Sequence, residues 1–328
     1  MELRGRKVIV TGGAGFIGSH VVDRLVATGA DVVVIDDLSV GKHTNLAQAL
    51  DDGVRLVVGD VRDAELMGSE LAGASAVFHM ACDNLRASIG KPLQTHDVNA
   101  TGTLVSALAA VEAGVDRFVY VSSSEAYGSA RTVPMPETHM LEPTTVYGAS
   151  KAAGELYAQA CMRTYGLPTV VVRPFNAYGP REHSTGTSAE VIPKFARRIM
   201  SGEAPVIFGS GAQTRDFTWV EETAAGIVEA GACDALVGEA VNIAYGEGVS
   251  IRHVCELLLE IIGADGLALT FDEPRPGDVE HHVADTSKAR EVLGFEARVS
   301  IREGLERYVE WIREQPALLA AVESERNW

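Results

Sequence analysis

Positive charge is scarce in this chain: 28 Lys and Arg stand against 45 Asp and Glu, a formal net charge of −17 over 328 residues. That balance argues against a nucleic-acid ligand, whose phosphates need a basic footprint. It leaves room for a small anionic ligand, because a few well-placed arginines set the field of one cleft. Cysteine is equally sparse. The four thiols, at 82, 161, 233 and 255, share no metal-ligand spacing and no pairing pattern, which speaks for a reducing compartment and against a zinc site. No metal is expected. No apolar run approaches the roughly 18 residues of a membrane span, and residues 1–7 lead straight into an apolar segment without room for a signal-peptide core. The expectation is a soluble, cytoplasmic protein with no membrane partner. Internal repeats, low-complexity tracts and flexible linkers are also missing, so a chain with 46% hydrophobic content predicts one large or two modest, closely packed units.

What is present begins with Val8-Ile9-Val10-Thr11-Gly12-Gly13-Ala14-Gly15-Phe16-Ile17-Gly18. An apolar run ends in a glycine cluster, and the cluster opens onto residues whose apolar positions recur at helical spacing, so it reads as strand, tight turn and helix. Gly12, Gly15 and Gly18 lack a Cβ where one would block the turn, the approach of a pyrophosphate to backbone N–H groups, or helix-to-strand packing. The start of the helix then offers an anion its free N–H groups and its positive dipole end. A second apolar run ends in Asp36, 18 residues past Gly18, close to the roughly 20-residue spacing of an acid that binds an adenosine ribose diol. With Asp37 beside it, a 2′-phosphate would be repelled, which favours NAD over NADP.

Further strand-like runs lie at 54–60, 76–80, 117–121 and 169–173, with helical patterns between them, most clearly at 98–113 and 149–163. Strands that are apolar throughout and alternate with helices predict an α/β fold with a doubly wound parallel sheet, of Rossmann type, and a ligand at the carboxyl ends of the strands. Beyond Asn176 loop-rich segments separate short helices, while 240–244 is suited to return a strand to the sheet. The expected division is a dinucleotide-binding domain over 1–175 with a return around 217–250. A smaller interleaved substrate lobe is expected over 176–216 and 251–328.

Tyr147 and Lys151 are four residues apart, about one helical turn, so phenol and ammonium project from one face. A phenol near its usual pKa of about 10 is a poor base at neutral pH. A nearby cation and a positively charged nicotinamide are expected to stabilise phenolate by roughly 4 kcal/mol, enough to change that. Just past another predicted strand, Ser122-Ser123-Ser124-Glu125 places hydroxyls on the ligand side of the sheet.

With these motifs in this order, the chain resembles the extended short-chain dehydrogenase/reductase family over almost its whole length. The likeness is to its nucleotide-sugar epimerases and dehydratases, the UDP-glucose 4-epimerase-like group. The resemblance implies that Gly12, Gly15, Phe16, Ile17 and Gly18 hold the NAD pyrophosphate, and that Asp36 holds the adenosine ribose. It sets Asp60 and Val61 beside the adenine and Asn99 near the cofactor. Ser123, Tyr147 and Lys151 become the catalytic set, with Tyr147 taking the proton of the sugar 4-hydroxyl, Ser123 holding that oxygen and Lys151 gripping the nicotinamide ribose. For a nucleotide-diphosphate sugar, Asn176, Arg215 and Arg275 match diphosphate ligands, arginine because its planar fork gives paired, charge-assisted hydrogen bonds. Phe208 matches a residue packed on the nucleobase and Val191 one whose backbone reads the base edge. Ser124 and Arg86 fall near the sugar.

After oxidation at C4 the family divides between 4-epimerisation, 4,6-dehydration and, for a uronic acid, decarboxylation. Dehydratases of the dTDP-glucose type carry Asp-Glu where this chain has Ser124-Glu125. The missing acid favours an NAD-dependent 4-epimerase acting on a UDP-hexose or UDP-hexuronate. The retained Glu125 keeps a 4,6-dehydratase or other C5-active enzyme as the alternative, and a non-catalytic NAD-binding regulator is disfavoured because both Tyr147 and Lys151 are in place. The family also implies a homodimer formed by helices 98–113 and 149–163.

Overall fold

The computed structural model describes residues 1–184, 189–274 and 279–315. Its first half runs through β1 (Lys7–Thr11), β2 (Asp31–Asp36), β3 (Arg55–Val58), β4 (Ala76–His79), β5 (Arg117–Val121) and β6 (Thr169–Pro174). Three strands follow in the second half, β7 (Asn176–Tyr178), β8 (Val206–Phe208) and β9 (Thr214–Trp219), before β10 (Ala240–Ile243) returns to lie parallel beside β6. The main sheet has seven strands in the order β10-β6-β5-β4-β1-β2-β3, and every pairing in it is parallel. Strand order reverses between β1 and β4, the point at which a doubly wound sheet opens a crevice for ligands.

Alternation along the strands divides the core in two. Val8, Val10, Val32, Val34, Phe78, Val119 and Val121 face one side, with Leu25 of helix Phe16–Thr28 and Ile227 of helix Val220–Ala232. Ile9, Val33, Ile35, Val77, Phe118 and Tyr120 face the other, against Met67, Ala110 and Ala158 from helices Ala64–Leu71, Gly102–Ala113 and Val146–Tyr165. Burial on both faces explains why the sequence runs were apolar throughout rather than alternating. A separate cluster in the second half gathers Tyr178, Ile192, Phe195, Phe217, Trp219, Leu258, Leu305 and Tyr308. There β9 is flanked by β7, by the antiparallel β11 (Gly248–Ser250) and by β13 (His281–His282), while β8 pairs with β12 (Thr270–Asp272).

Two helices differ from their sequence reading. The segment expected as one helix over 98–113 starts with a π-helical turn, Asp97–Thr101, before the α-helix Gly102–Ala113. The Thr103 hydroxyl donates to the Asn99 carbonyl at 2.6 Å, competing with the backbone N–H groups that an α-helix would direct there. The helix expected from 149 begins at Val146, because Thr145 caps it by accepting from the Gly148 N–H at 3.0 Å. Tyr147 is therefore inside the first turn, on the same helix as Lys151.

Two buried polar systems tie the sheet to its helices. Arg173 of β6 donates from Nε to Glu155 at 3.1 Å, pairs with the same carboxylate through Nη2, and reaches the Tyr127 hydroxyl at 2.8 Å and the Glu137 carbonyl at 2.9 Å. His79 of β4 lies between Thr11 at 2.9 Å and Thr103 at 3.0 Å. Because Thr103 donates onward to Asn99, its oxygen is left to accept from His79 Nε2–H. Nδ1 then accepts from the Thr11 hydroxyl, whose oxygen takes the Met80 and Ala81 N–H groups. The ring has no partner for a second proton, and burial, with Lys151 adding to it, pushes its pKa down to about 3.

Both systems give measurable outcomes. Replacing Glu155 by Ala strands a buried guanidinium, so urea unfolding should report a loss of about 3–5 kcal/mol. His79 is titrated in the unfolded chain but not in the folded one, so its contribution to stability is complete above pH 6.5 and is lost as pH falls towards 3. Over that window stability should fall by about 1.4 kcal/mol per pH unit from this group. In His79→Gln the acid slope should be shallower by one proton.

Candidate active site

A cleft runs along the carboxyl ends of β1, β2, β4 and β5, walled on one side by the glycine turn and on the other by the start of helix Val146–Tyr165. Gly12 sits at φ +69°, and a Cβ there would stand 2.7 Å from the Ala81 backbone. A Cβ at Gly18 would fall 2.1 Å from the Gly12 carbonyl oxygen. Neither position tolerates a side chain. Gly15 caps helix Phe16–Thr28 with no side-chain partner and no acid in the first turn, so the first N–H groups remain available to an anion. Asp36 closes the end of β2 in a buried position. Its oxygens accept from Ala14 N and Leu38 N, each at 2.9 Å; burial pushes the carboxyl up, and these two hydrogen bonds pull it back. Each oxygen keeps a further lone pair for a diol. A cradle of bare backbone followed by a carboxylate of this kind fits an NAD pyrophosphate and ribose. Further along the cleft, the Arg62 guanidinium beside Asp60 holds that carboxyl below its ordinary range.

At the far wall Lys151 is almost fully enclosed, with 2% of its surface exposed. Its Nζ donates to the Val121 carbonyl at 2.6 Å and stands 4.8 Å from the centre of the Tyr120 ring. The Tyr120 hydroxyl returns a bond to the Lys151 carbonyl at 2.9 Å, so β5 and the helix are locked at this point. Burial lowers the Lys151 pKa. Tyr147 responds to burial in the opposite sense: its phenol is pushed above the usual tyrosine range, Cys82, Glu125 and Glu190 add to the effect, and a hydrogen bond with Ser123 opposes it. The expected phenolate draws on Lys151 and a charged nicotinamide together; in the protein alone the ammonium is turned to the Val121 carbonyl and burial is the largest influence on the phenol.

Ser123 begins the 3-10 turn Ser124–Ala126, its oxygen accepting from Glu125 N at 3.2 Å. Its hydroxyl proton stays available for an oxygen in the cleft. Ser124 is buried in the same wall and Glu125 half-buried. The cleft thus collects Gly12, Gly15, Phe16, Ile17, Gly18, Asp36, Asp60, Val61, Ser123, Ser124, Glu125, Tyr147, Lys151 and Asn176.

Asn99, Arg86, Val191, Phe208 and Arg215 are not among the residues that line the cleft. Asn99 is buried, accepting from Asp83 N at 2.7 Å and donating to the Asp83 carbonyl and to Ser150 Oγ. Its amide is spent on protein, so it braces the loop against the Tyr147 helix. Arg86 stands 3.9 Å from Glu190. Val191 starts the helix Val191–Met200 and Phe208 ends β8. Arg215, within β9, donates to the Thr214 and Val279 carbonyls at 2.9 and 2.8 Å. Arg275 lies outside the described residues.

Sequence reasoning missed Glu190, His183 and Cys82, all in the cleft wall. Glu190 occupies the N-cap of helix Val191–Met200, a position whose local sequence reads only as a helix start. Only tertiary folding turns it toward Tyr147.

The comparisons with known proteins agree with this geometry. The family described as GDP-mannose 4,6 dehydratase matches residues 9–308. A UDP-glucose 4-epimerase of Mycolicibacterium smegmatis is 36% identical over 312 residues, covering 94% of this chain and 98% of that protein. Among solved structures, UDP-glucose 4-epimerase of Thermotoga maritima, crystallised with UDP-glucose, matches with a TM-score of 0.89 and 36% identity over 94% of this chain and 99% of that one. A dTDP-glucose 4,6-dehydratase of Streptomyces venezuelae, crystallised with NAD, matches with a TM-score of 0.90 and 36% identity over 95% of this chain and 98% of that one. With the glycine cradle, the Asp36 carboxylate and the Ser-Tyr-Lys wall on one cleft, the chain belongs to the NAD-dependent nucleotide-sugar epimerases and dehydratases of the extended short-chain dehydrogenase/reductase family.

Proposed function

We propose that this enzyme is a nucleotide-sugar 4-epimerase, acting on a UDP-hexose or UDP-hexuronate through a transient 4-keto sugar. The observation that carries the reading is the wall after β5, where Ser123, Tyr147 and Lys151 line one cleft. The position after Ser123 is a buried serine rather than the acid that would protonate a departing 6-hydroxyl. NAD bound in the cradle supplies the acceptor, and later the donor, of a hydride. Ser123 holds the sugar 4-oxygen by donating its hydroxyl proton. Tyr147, as the phenolate, would receive the 4-hydroxyl proton as the carbonyl forms and, as the phenol, would return it to the reduced oxygen once the sugar has presented its other face. Lys151, fixed to the Val121 carbonyl, would hold the nicotinamide ribose and would bring its positive charge to that end of the cleft. Asn176, in the cleft wall, offers the NH2 of its amide to the diphosphate. Arg215, Phe208, Val191 and Arg275 retain the nucleotide-side roles that the family pattern gives them.

One observation favours a second reading. Glu125 lines the cleft and bears on the Tyr147 phenol, where a carboxylate can remove the C5 proton of a 4-keto sugar and so start a 4,6-dehydration.

Unlike these chemical roles, the assembly rests on a surface. Ile89 and Leu93, 78% and 81% exposed, lie on helices Leu85–Gly90 and Pro92–His96. Leu156, 57% exposed, lies on helix Val146–Tyr165, and Leu108, on helix Gly102–Ala113, is exposed as well. These helices pack on one another. An apolar face of this kind is suited to a second copy of the chain in a homodimer. Among the described residues no helix is long and apolar enough to cross a membrane, and the four free cysteines accord with the reducing conditions of the cytoplasm.

Incubation with UDP-glucose, followed by NMR of the sugar, should give the 4-epimer; a 4-keto-6-deoxy product would establish the second reading instead. Tyr147→Phe should retain NAD, measured by absorbance of the denatured supernatant, while kcat falls by about 10²–10⁴-fold; near-normal turnover would remove Tyr147 from the reaction. Light scattering should give twice the chain mass for the wild type, and a Leu93→Asp, Leu156→Asp double variant should run as a monomer.

A further inference from the structure

The turn that carries Ser123 is a short span of chain fixed at both ends. At its start the Ser122 N–H donates to the Val172 carbonyl at 2.7 Å, and the Val121 carbonyl takes the Lys151 ammonium. Within it, the Ala126 N–H donates to the Ser123 carbonyl and the Tyr127 N–H to the Ser124 carbonyl, each at 3.1 Å. At its end stands Tyr127, wholly buried. The Tyr127 hydroxyl donates to Asn242 Oδ1 at 2.7 Å and accepts from Arg173 Nη1 at 2.8 Å. Arg173 and Asn242 are register partners on the adjacent strands β6 and β10, so two neighbouring rungs of the main sheet hold the hydroxyl.

Arg173 carries the connection further. Its Nε and Nη2 engage Glu155, one turn beyond Lys151 on the helix that bears Tyr147, and its guanidinium carbon stands 4.7 Å from the centre of the Tyr127 ring. Both ends of the Ser123 span therefore lead to one helix, the first at Lys151 and the second at Glu155. Tyr127, Arg173, Glu155 and Asn242 are not among the residues that line the cleft, so they reach the chemistry only through what they hold.

We propose that Tyr127 is a positioning residue: by joining the Ser123 turn to Arg173, and through it to Glu155, it fixes the Ser123 hydroxyl relative to Tyr147. This deepens the function given above and rests on the role assigned there to Ser123. A hydroxyl that donates to the sugar 4-oxygen acts only at hydrogen-bond distance and direction, and a misplacement of roughly 1 Å among reacting groups costs on the order of a hundredfold in rate. The 3-10 turn Ser124–Ala126 has the weaker hydrogen-bond geometry of its kind, so its shape depends on what grips its ends. Tyr127→Phe keeps the ring, with its packing on Phe175 and on the Arg173 guanidinium, and deletes only the two hydroxyl bonds.

The test has two readouts, both on the NAD-loaded enzyme. Backbone amides of residues 122–128 should exchange with deuterium about tenfold faster in Tyr127→Phe than in the wild type, while β1 and its glycine turn stay unchanged, since local opening follows the bonds that hold a segment. For the second, the enzyme is mixed with UDP-glucose or dTDP-glucose and the single-turnover rate of nicotinamide reduction is followed by absorbance. Tyr127→Phe should lower that rate by about tenfold to a hundredfold and leave the apparent Kd for the sugar nucleotide within about twofold. In a Ser123→Ala background the same substitution should change the rate by less than about twofold, because the group it positions is gone. A merely structural role would cost the same factor in both backgrounds. Equal losses in both backgrounds, a rate that Tyr127→Phe leaves unchanged, or exchange at 122–128 that it leaves unmoved would each overturn the proposal. If Tyr127→Phe fails to fold, Arg173→Lys, which keeps a charge beside Glu155 and gives up the fork to Tyr127, is carried through the same measurements. Oxidation at C4 precedes both epimerisation and 4,6-dehydration, so a 4-keto-6-deoxy product would defeat the epimerase reading and leave this one standing. Where neither sugar nucleotide reduces the cofactor, exchange decides alone.

Discussion

The bond from the Lys151 ammonium to the Val121 carbonyl is the interaction on which the rest of the site depends. Enclosing a cation is costly in the absence of compensating partners, and here the compensation comes from the Val121 carbonyl at the carboxyl end of β5 and from the face of the Tyr120 ring. The Tyr120 hydroxyl closes the loop by donating to the Lys151 backbone. Strand and helix are thereby fixed at one height. Tyr147, one turn earlier, is fixed with them, and the Ser123 hydroxyl at the end of the same strand meets its phenol.

A protein with a net charge of −17 that binds a dinucleotide and a nucleotide-diphosphate sugar has to hold phosphates with little help from its overall field. The solution at the cofactor end is backbone. The glycine turn brings N–H groups and a helix terminus to the anion, and its close approaches, 2.1 Å from a hypothetical Cβ at Gly18 to the Gly12 oxygen, leave no space for anything larger than hydrogen. Asp36, buried at the end of β2 with its oxygens taking the Ala14 and Leu38 N–H groups, suits a ribose diol better than a phosphate. The negative side chains are not an obstacle to this arrangement, because short-range geometry and dipoles decide the field inside a crevice.

The parts legible in the sequence were those governed by local rules. Apolar runs gave the parallel sheet, glycine spacing gave the cradle, and a four-residue interval gave the common face of Tyr147 and Lys151. Where side chains compete with backbone, local rules failed: Thr103 takes the Asn99 carbonyl and turns the expected α-helix into a π-turn, and the Thr145 cap extends the catalytic helix. Long-range placement was also hidden. Glu190 is 43 residues beyond Tyr147 in the chain, and no periodicity connects them. Both ends of the Asn99 amide are spent on Asp83 and Ser150, partners that no sequence pattern announced.

The Tyr147 phenol brings these strands of argument together. Its position was legible and its acidity was not, since acidity is a sum over neighbours that only folding assembles. Burial, Cys82, Glu125 and Glu190 all favour the neutral phenol, and Ser123 alone among its named partners opposes them. A phenol in that state is a weak base, so the protein by itself does not prepare it to take a proton. Positive charge has to enter the cleft with the ligands, and the cradle around Gly12 and Gly18 is the feature that brings a dinucleotide there. In the proposed mechanism, basicity at Tyr147 would be tied to occupancy of the glycine turn, so that a sugar hydroxyl would meet a competent base only where an acceptor for its hydride is already in place.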